Sequence, residues 1–150
     1  MKKKVSLLGA ILALTFVLSS AGCSKDNEPA NEDVATPNDM KISVEANGNT
    51  VIFELNDSSA AKSLYNQLPL TLPVENFGSN EKIFYPPERL DMSNTPIMGG
   101  SAGGLAYYEP WGDVIMFYGN YGPMPTLGRA IQGVEHISSM TGTIQIRKVE

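Results

Sequence analysis

Residues 40–150 predict a mainly-β domain whose strands close into a barrel, with one or two short helices at its flank. Three features carry that expectation. Short apolar runs recur along the segment, nearly all bounded by Gly, Pro, Asn or Asp, which is the punctuation of strands. Helix signals occur in only two places, around residues 57–68 and 134–140. Many short strands in so small a domain leave unpaired edges unless the sheet closes on itself, and closure is the usual remedy.

Taken in order, 40–46 alternates between two faces, Asn47-Gly48-Asn49 supplies turn residues tolerant of positive φ, and 50–55 runs on as a second strand. Asp57 is placed to cap a helix through Ala60, Ala61, Leu64 and Tyr65 that stops at Leu68, because Pro69 cannot continue it. Leu64 and Leu68 then share a face. Further strands are expected at 70–74, 83–85, 104–108, 114–118, 126–131 and 143–149, with a small helix at 134–140. The glycine-rich stretch Gly99-Gly100-Ser101-Ala102-Gly103-Gly104 reads as a flexible loop.

The first 22 residues belong to export rather than to the fold. Residues 1–4 are cationic and 5–18 are all apolar or small, in the order an export signal requires. At about 1.5 Å per helical residue that body covers roughly 21 Å of a hydrocarbon core about 30 Å thick, short for a permanent span. Ser20-Ala21-Gly22-Cys23 resembles the lipobox cut by lipoprotein signal peptidase, with Ser20 where that motif usually has Leu. The resemblance implies lipid on Cys23, and composition agrees: Cys23 is the only cysteine, so no disulfide is available to it. Each buried acyl methylene contributes about 0.8 kcal/mol, so two or three chains make a lasting membrane anchor.

Residues 24–39 hold five acids, one lysine and two prolines with Val34 as the one large apolar side chain, the composition of a solvated tether. Its opening Ser24-Lys25-Asp26 resembles surface-export tethers of Bacteroidetes lipoproteins, which implies an extracytoplasmic protein at the outer membrane or cell surface. Removal of residues 1–22 leaves 8 basic against 16 acidic side chains. An acidic chain of this kind is a poor partner for nucleic acid or anionic lipid, both of which demand clustered Lys and Arg.

Three stretches carry a resemblance to a known fold. Leu68-Pro69-Leu70-Thr71-Leu72, then Leu105-Ala106-Tyr107-Tyr108-Glu109-Pro110-Trp111-Gly112 with 114–118 behind it, and Leu127-Gly128-Arg129-Ala130-Ile131 resemble a bacterial family of small cyclophilin-like proteins. The resemblance implies a closed cyclophilin-like β-barrel over 40–150. It carries less about function, because a fold hosts many activities. Cyclophilin isomerases use an arginine that donates to the prolyl nitrogen. Their Phe-His-Arg strand motif is absent here, and the single histidine, His136, lies outside any match.

Other chemistry finds little support. With one histidine, and the cysteine given to lipid, no metal set of diagnostic spacing exists and no cofactor is expected. The glycine stretch lacks the Gly-Lys-Ser/Thr ending of a phosphate loop, and no Gly-x-Ser-x-Gly elbow is present. The densest set of aromatic side chains is Tyr107, Tyr108, Trp111, Phe117, Tyr118 and Tyr121; alternation sends Tyr107 and Tyr108 to opposite faces, so one of them is core. Tyr108, Trp111, Tyr118 and Arg129 are the candidate ligand-binding residues, since rings with polar tips and a forked guanidinium suit a small ligand or peptide. The alternative is packing, with Arg129 paired to Glu109 or Asp113. The readings of function are thus a lipid-anchored module that binds a ligand, peptide or protein, an unconventional prolyl isomerase, or a structural envelope protein.

Overall fold

The computed structural model describes residues 39–150; the signal peptide, Cys23 and the tether through residue 38 lie outside the described residues. In chain order the elements are β1 (Lys41–Ala46), β2 (Asn49–Leu55), α1 (Ser59–Gln67), β3 (Leu70–Pro73), β4 (Glu75–Phe77), β5 (Glu81–Phe84), β6 (Ile97–Gly100), β7 (Gly104–Tyr108), β8 (Asp113–Phe117), β9 (Tyr121–Gln132), a 3-10 turn (Val134–Ser139) and β10 (Thr143–Val149). The β1–β2 hairpin turns through Asn47 at φ 52° and Gly48 at φ 76°, the pair of positive angles that a two-residue turn matched to strand twist requires. The cap of α1 is Ser58 rather than the expected Asp57: its Oγ accepts from the Ala61 amide at 3.2 Å. Ser58 stands directly before the first helical residue, where a short side-chain oxygen reaches that amide.

All strand pairs are antiparallel. Their path runs β3-β10-β1-β2-β9-β7-β8-β5-β4, with β6 pairing to β9 beside it, so the expected closed barrel is corrected to an open sheet. The cause lies in residues 70–77. Pairing of β3 with β10 runs to Pro73, the Val74 amide still donates to the Gly142 carbonyl at 2.9 Å, and from Glu75 the chain continues as β4 against β5. The two edges are therefore successive pieces of one segment, and the β4 edge is kept short and carries Glu75, both of which discourage edge pairing.

One face of the sheet, with α1 and the 3-10 turn, encloses the main core, in which Ile42, Val44, Phe53, Leu64, Tyr107 and Ile146 have no exposed surface. As alternation required, Tyr107 is inside and Tyr108 is at the surface. A second, smaller core lies on the opposite face: Ile83, Ala106, Ile115 and Phe117 are covered by Tyr121 and Met124. These last two residues belong to the first half of β9, which pairs with β6 as a two-stranded ribbon, Met98 opposite Met124 and Gly100 opposite Tyr121. β8 is thus buried along its whole length, Val114 and Met116 facing one core and Ile115 and Phe117 the other. That explains why residues 114–117 are continuously apolar instead of alternating.

Candidate functional site

The ribbon formed by β6 and β9 borders two clefts of the molecule, and Tyr121 lines both. Its ring stacks on Phe117, centroids 4.0 Å apart and planes 7° from parallel. The edge of the ring fits against Gly100 and Gly104; a Cβ on Gly100 would stand 3.0 Å from the phenol oxygen, and one on Gly104 would fall inside van der Waals contact with it. The glycine stretch expected to be a flexible loop is therefore β6, a tight turn with Gly103 at φ 97°, and the start of β7. Side chains at Gly100 and Gly104 would evict the Tyr121 ring, and one at Gly99 would meet the backbone of residues 121–123.

Beside Tyr121 opens a cleft of about 340 Å³ whose walls include Glu54, Leu55, Met98, Gly99, Thr126 and Arg129. Arg129 sits mid-strand in β9, paired with Glu54 of β2 on one side and Gly104 of β7 on the other. Gly128 before it has no room for a Cβ against the Glu54 carbonyl, so close strand approach fixes where Arg129 enters the cleft. Among the described residues Arg129 makes no salt bridge and no side-chain hydrogen bond, and the ion pair that is present joins His136 Nε2 to Glu135 Oε1 at 3.5 Å. The expected packing partners Glu109 and Asp113 do not hold it. Burial pushes the pKa of the Tyr121 phenol above its ordinary value, and the nearby Arg129 charge acts in the opposite direction. A guanidinium fork, a phenol that remains protonated and strand backbone thus border one cavity, an arrangement suited to a carboxylate or carbonyl oxygen.

The other candidate residues lie elsewhere. Tyr108 and Trp111 meet edge to face with centroids 5.4 Å apart, and Phe77 meets Trp111 at the same distance, forming a separate aromatic group at the far side of the second core. Tyr118 donates its hydroxyl to Asn76 Oδ1 at 2.7 Å and packs against the main core. The structure therefore separates Arg129, the pair Tyr108 and Trp111, and Tyr118 into three places. Tyr121 belonged to the aromatic set noticed in the sequence, yet nothing there distinguished it; the signal would have been glycines able to face it, and that needs the strand pairing. His136 is at the surface with its imidazole beside Glu135. Among the described residues no group of three or more His, Cys, Asp or Glu could hold a metal, and no helix is long and apolar enough to cross a membrane.

The profile of the cyclophilin-like family matches residues 44–148, nearly the whole described domain. The chain belongs to that family. Among curated proteins no relative matches. Among solved structures, this cyclophilin-like chain is similar to a hypothetical protein from Archaeoglobus fulgidus, determined in solution, with a TM-score of 0.62 and 13% identity over 77% of this chain and 98% of the other. At that identity the similarity speaks for the fold alone.

Proposed function

We propose that this protein is a lipid-anchored envelope protein whose cyclophilin-like domain binds a small ligand or peptide through a carboxylate or carbonyl group in the Arg129 cleft. The observation that carries the reading is Arg129 itself, a guanidinium without a salt bridge among the described residues, bordering a cavity of about 340 Å³. Arg129 is exposed and no protein acceptor occupies its fork among the described residues, so a bidentate acceptor entering the cleft can take it. Tyr121 adds a rigid ring and a donor, while Leu55 and Met98 supply apolar wall. Lipid on Cys23 and the acidic tether would hold this cleft clear of the membrane surface, in the extracytoplasmic space.

Calorimetric titration tests the reading, using N-acetylated dipeptides with a free C-terminal carboxylate and the same dipeptides amidated. Binding of the acids that is weaker for the amides, and weakened about tenfold or more by Arg129→Ala, is expected. Equal behaviour of acids and amides, or indifference to Arg129→Ala, would remove Arg129 from the account. Prolyl isomerisation abolished by Arg129→Ala would replace binding with an enzymatic function.

A further inference from the structure

At the opposite end of the second core from Arg129, the outer face of the sheet ends in a pocket of about 280 Å³ bordered by Phe77, Glu81, Tyr108, Trp111, Asp113 and Met124. Its composition follows from register. Phe77 of β4 stands directly across from Glu81 of β5, and Tyr108 of β7 directly across from Asp113 of β8, so each carboxylate shares a face with a ring on the neighbouring strand. Trp111, in the turn between β7 and β8, reaches both rings edge to face, at 82° to Phe77 and 89° to Tyr108. Three rings thus surround two acids. The rings themselves are largely uncovered, Trp111 being 51% exposed.

The acids lack counter-charges. Asp113 is 2% exposed, and its Oδ1 is a buried oxygen without a hydrogen-bond partner among the described residues. Neither acid makes a salt bridge among those residues. Two cations of adjoining segments are engaged elsewhere: Lys82 belongs to the other face of β5, with Nζ 6.0 Å from the Tyr118 ring, and Arg89 donates to the Glu109 carbonyl. Burial pushes the Asp113 carboxyl above its usual range against the pull of its own amide, and Glu81 is raised by burial and by the Asp113 charge. Both shifts are what two acids without a cation between them should show. A buried charged oxygen without a partner is costly, and natural structures keep such a group where something arrives to satisfy it.

We propose that this pocket binds an organic ammonium group of the size of a lysine side-chain end, with Asp113 accepting from its N–H donors, Glu81 farther along the same face adding negative charge, and the rings of Phe77, Tyr108 and Trp111 surrounding its methylenes. Ring faces attract cations, Trp most strongly, and carboxylates add directed acceptors. A hard divalent ion is the poorer occupant, because it needs about six oxygen ligands and the pocket offers two carboxylates among rings. The site is separate from the Arg129 cleft, whose walls carry a guanidinium beside Glu54.

Trp111 is the only tryptophan in the chain, so it reports on the pocket directly. The full chain in neutral detergent is titrated with n-butylammonium, with a lysine-containing tripeptide, and with that tripeptide acetylated on the lysine Nε. Saturable change in Trp111 emission with both cations and none with the acetylated peptide is expected. Asp113→Asn should weaken it about tenfold, the loss of one charged hydrogen bond, and Glu81→Gln by a smaller factor through lost charge, both with unchanged far-ultraviolet circular dichroism. Glu81→Gln keeps the test open should Asp113→Asn perturb folding. Tighter binding of the tripeptide than of butylammonium assigns a peptide side chain as the source, and equal binding assigns a small amine. A flat titration, an equal response to the acetylated peptide, or full binding by both variants overturns the assignment.

Discussion

Gly104→Ala isolates the seat of Tyr121. A Cβ at this position would stand closer than 3.0 Å to the phenol oxygen, Cε1 and Cζ of Tyr121. Carbon contacts are optimal at about 3.5–4.0 Å, so the ring must withdraw by about 1 Å or the strand must give. The ring cannot swing freely, because it is stacked on Phe117 and pressed against Gly100. Overpacking of this kind costs about 1–3 kcal/mol, and the stacked pair is worth about 0.5–1.5 kcal/mol, so about 2 kcal/mol of destabilisation is expected. For a domain of this size that lowers Tm by about 10 °C. Thermal unfolding followed by circular dichroism measures it, with Gly122→Ala as the control, since a Cβ there meets nothing within 4 Å. In the double variant Gly104→Ala with Tyr121→Ala the clash is gone, and the combined loss should be less than the sum of the single losses. A Gly104→Ala protein that melts with the parent, or strict additivity in the double variant, would refute the ring-seat argument.

Asp113→Asn should stabilise the domain at pH 8 by about 1 kcal/mol, by removing a buried unsatisfied charge. The folded-state pKa of Asp113 lies above that of the unfolded chain, so its protonated form favours folding at low pH and that advantage is lost as pH rises through the raised value. The difference between variant and parent should therefore shrink toward pH 4 in denaturant titrations; a constant difference would contradict the assignment. The charged and titratable neighbours, Glu75 on β4, Glu81 and Lys82 on β5, Tyr85, Arg89 and Tyr108, are common to both proteins. A chain beginning at Met40 should unfold in one cooperative transition, because residues 24–39 have too little apolar surface to join a core; a broad transition that sharpens when those residues are restored would argue otherwise. Cys23→Ala should abolish labelling by a fatty-acid analogue in cells and release the protein from membranes, and equal labelling of both proteins would exclude Cys23 as the acceptor.

What could be read from the sequence follows from where local chemistry agreed with tertiary demand. β7 and β10 fall at the expected bounds, 104–108 and 143–149, because glycines at 103 and 142 stop the run before each. The hairpin at Asn47-Gly48 and the burial of Leu64 in the first helix were equally legible, while Leu68 is buried from the extended residue that caps the helix instead of from its face. β6 and the first half of β9 were not. Ile97-Met98-Gly99-Gly100 and Tyr121-Gly122-Pro123-Met124-Pro125 are built from residues that strands usually avoid, and they are extended because they must cover Phe117, Ile115, Ala106 and Ile83. The expected barrel failed at a comparable point, where residues 70–77 are divided between two partners. Arg129 was identifiable from its chemistry alone. Tyr121, Glu81 and Asp113 were not, since their significance depends on which glycines, rings and acids the register sets side by side.

The central claim, that the Arg129 cleft receives an acidic or carbonyl-bearing ligand, is tested most directly by nuclear magnetic resonance of the labelled protein titrated with an N-acetylated dipeptide acid. The Nε–H signal of Arg129 and the amides of Gly99, Gly100 and Gly104 should shift together and saturate, while those of Asn47 and Gly48, in the distant β1–β2 turn, stay still. Shifts that map to any other surface, or an Arg129 signal that does not move at saturation, would contradict it.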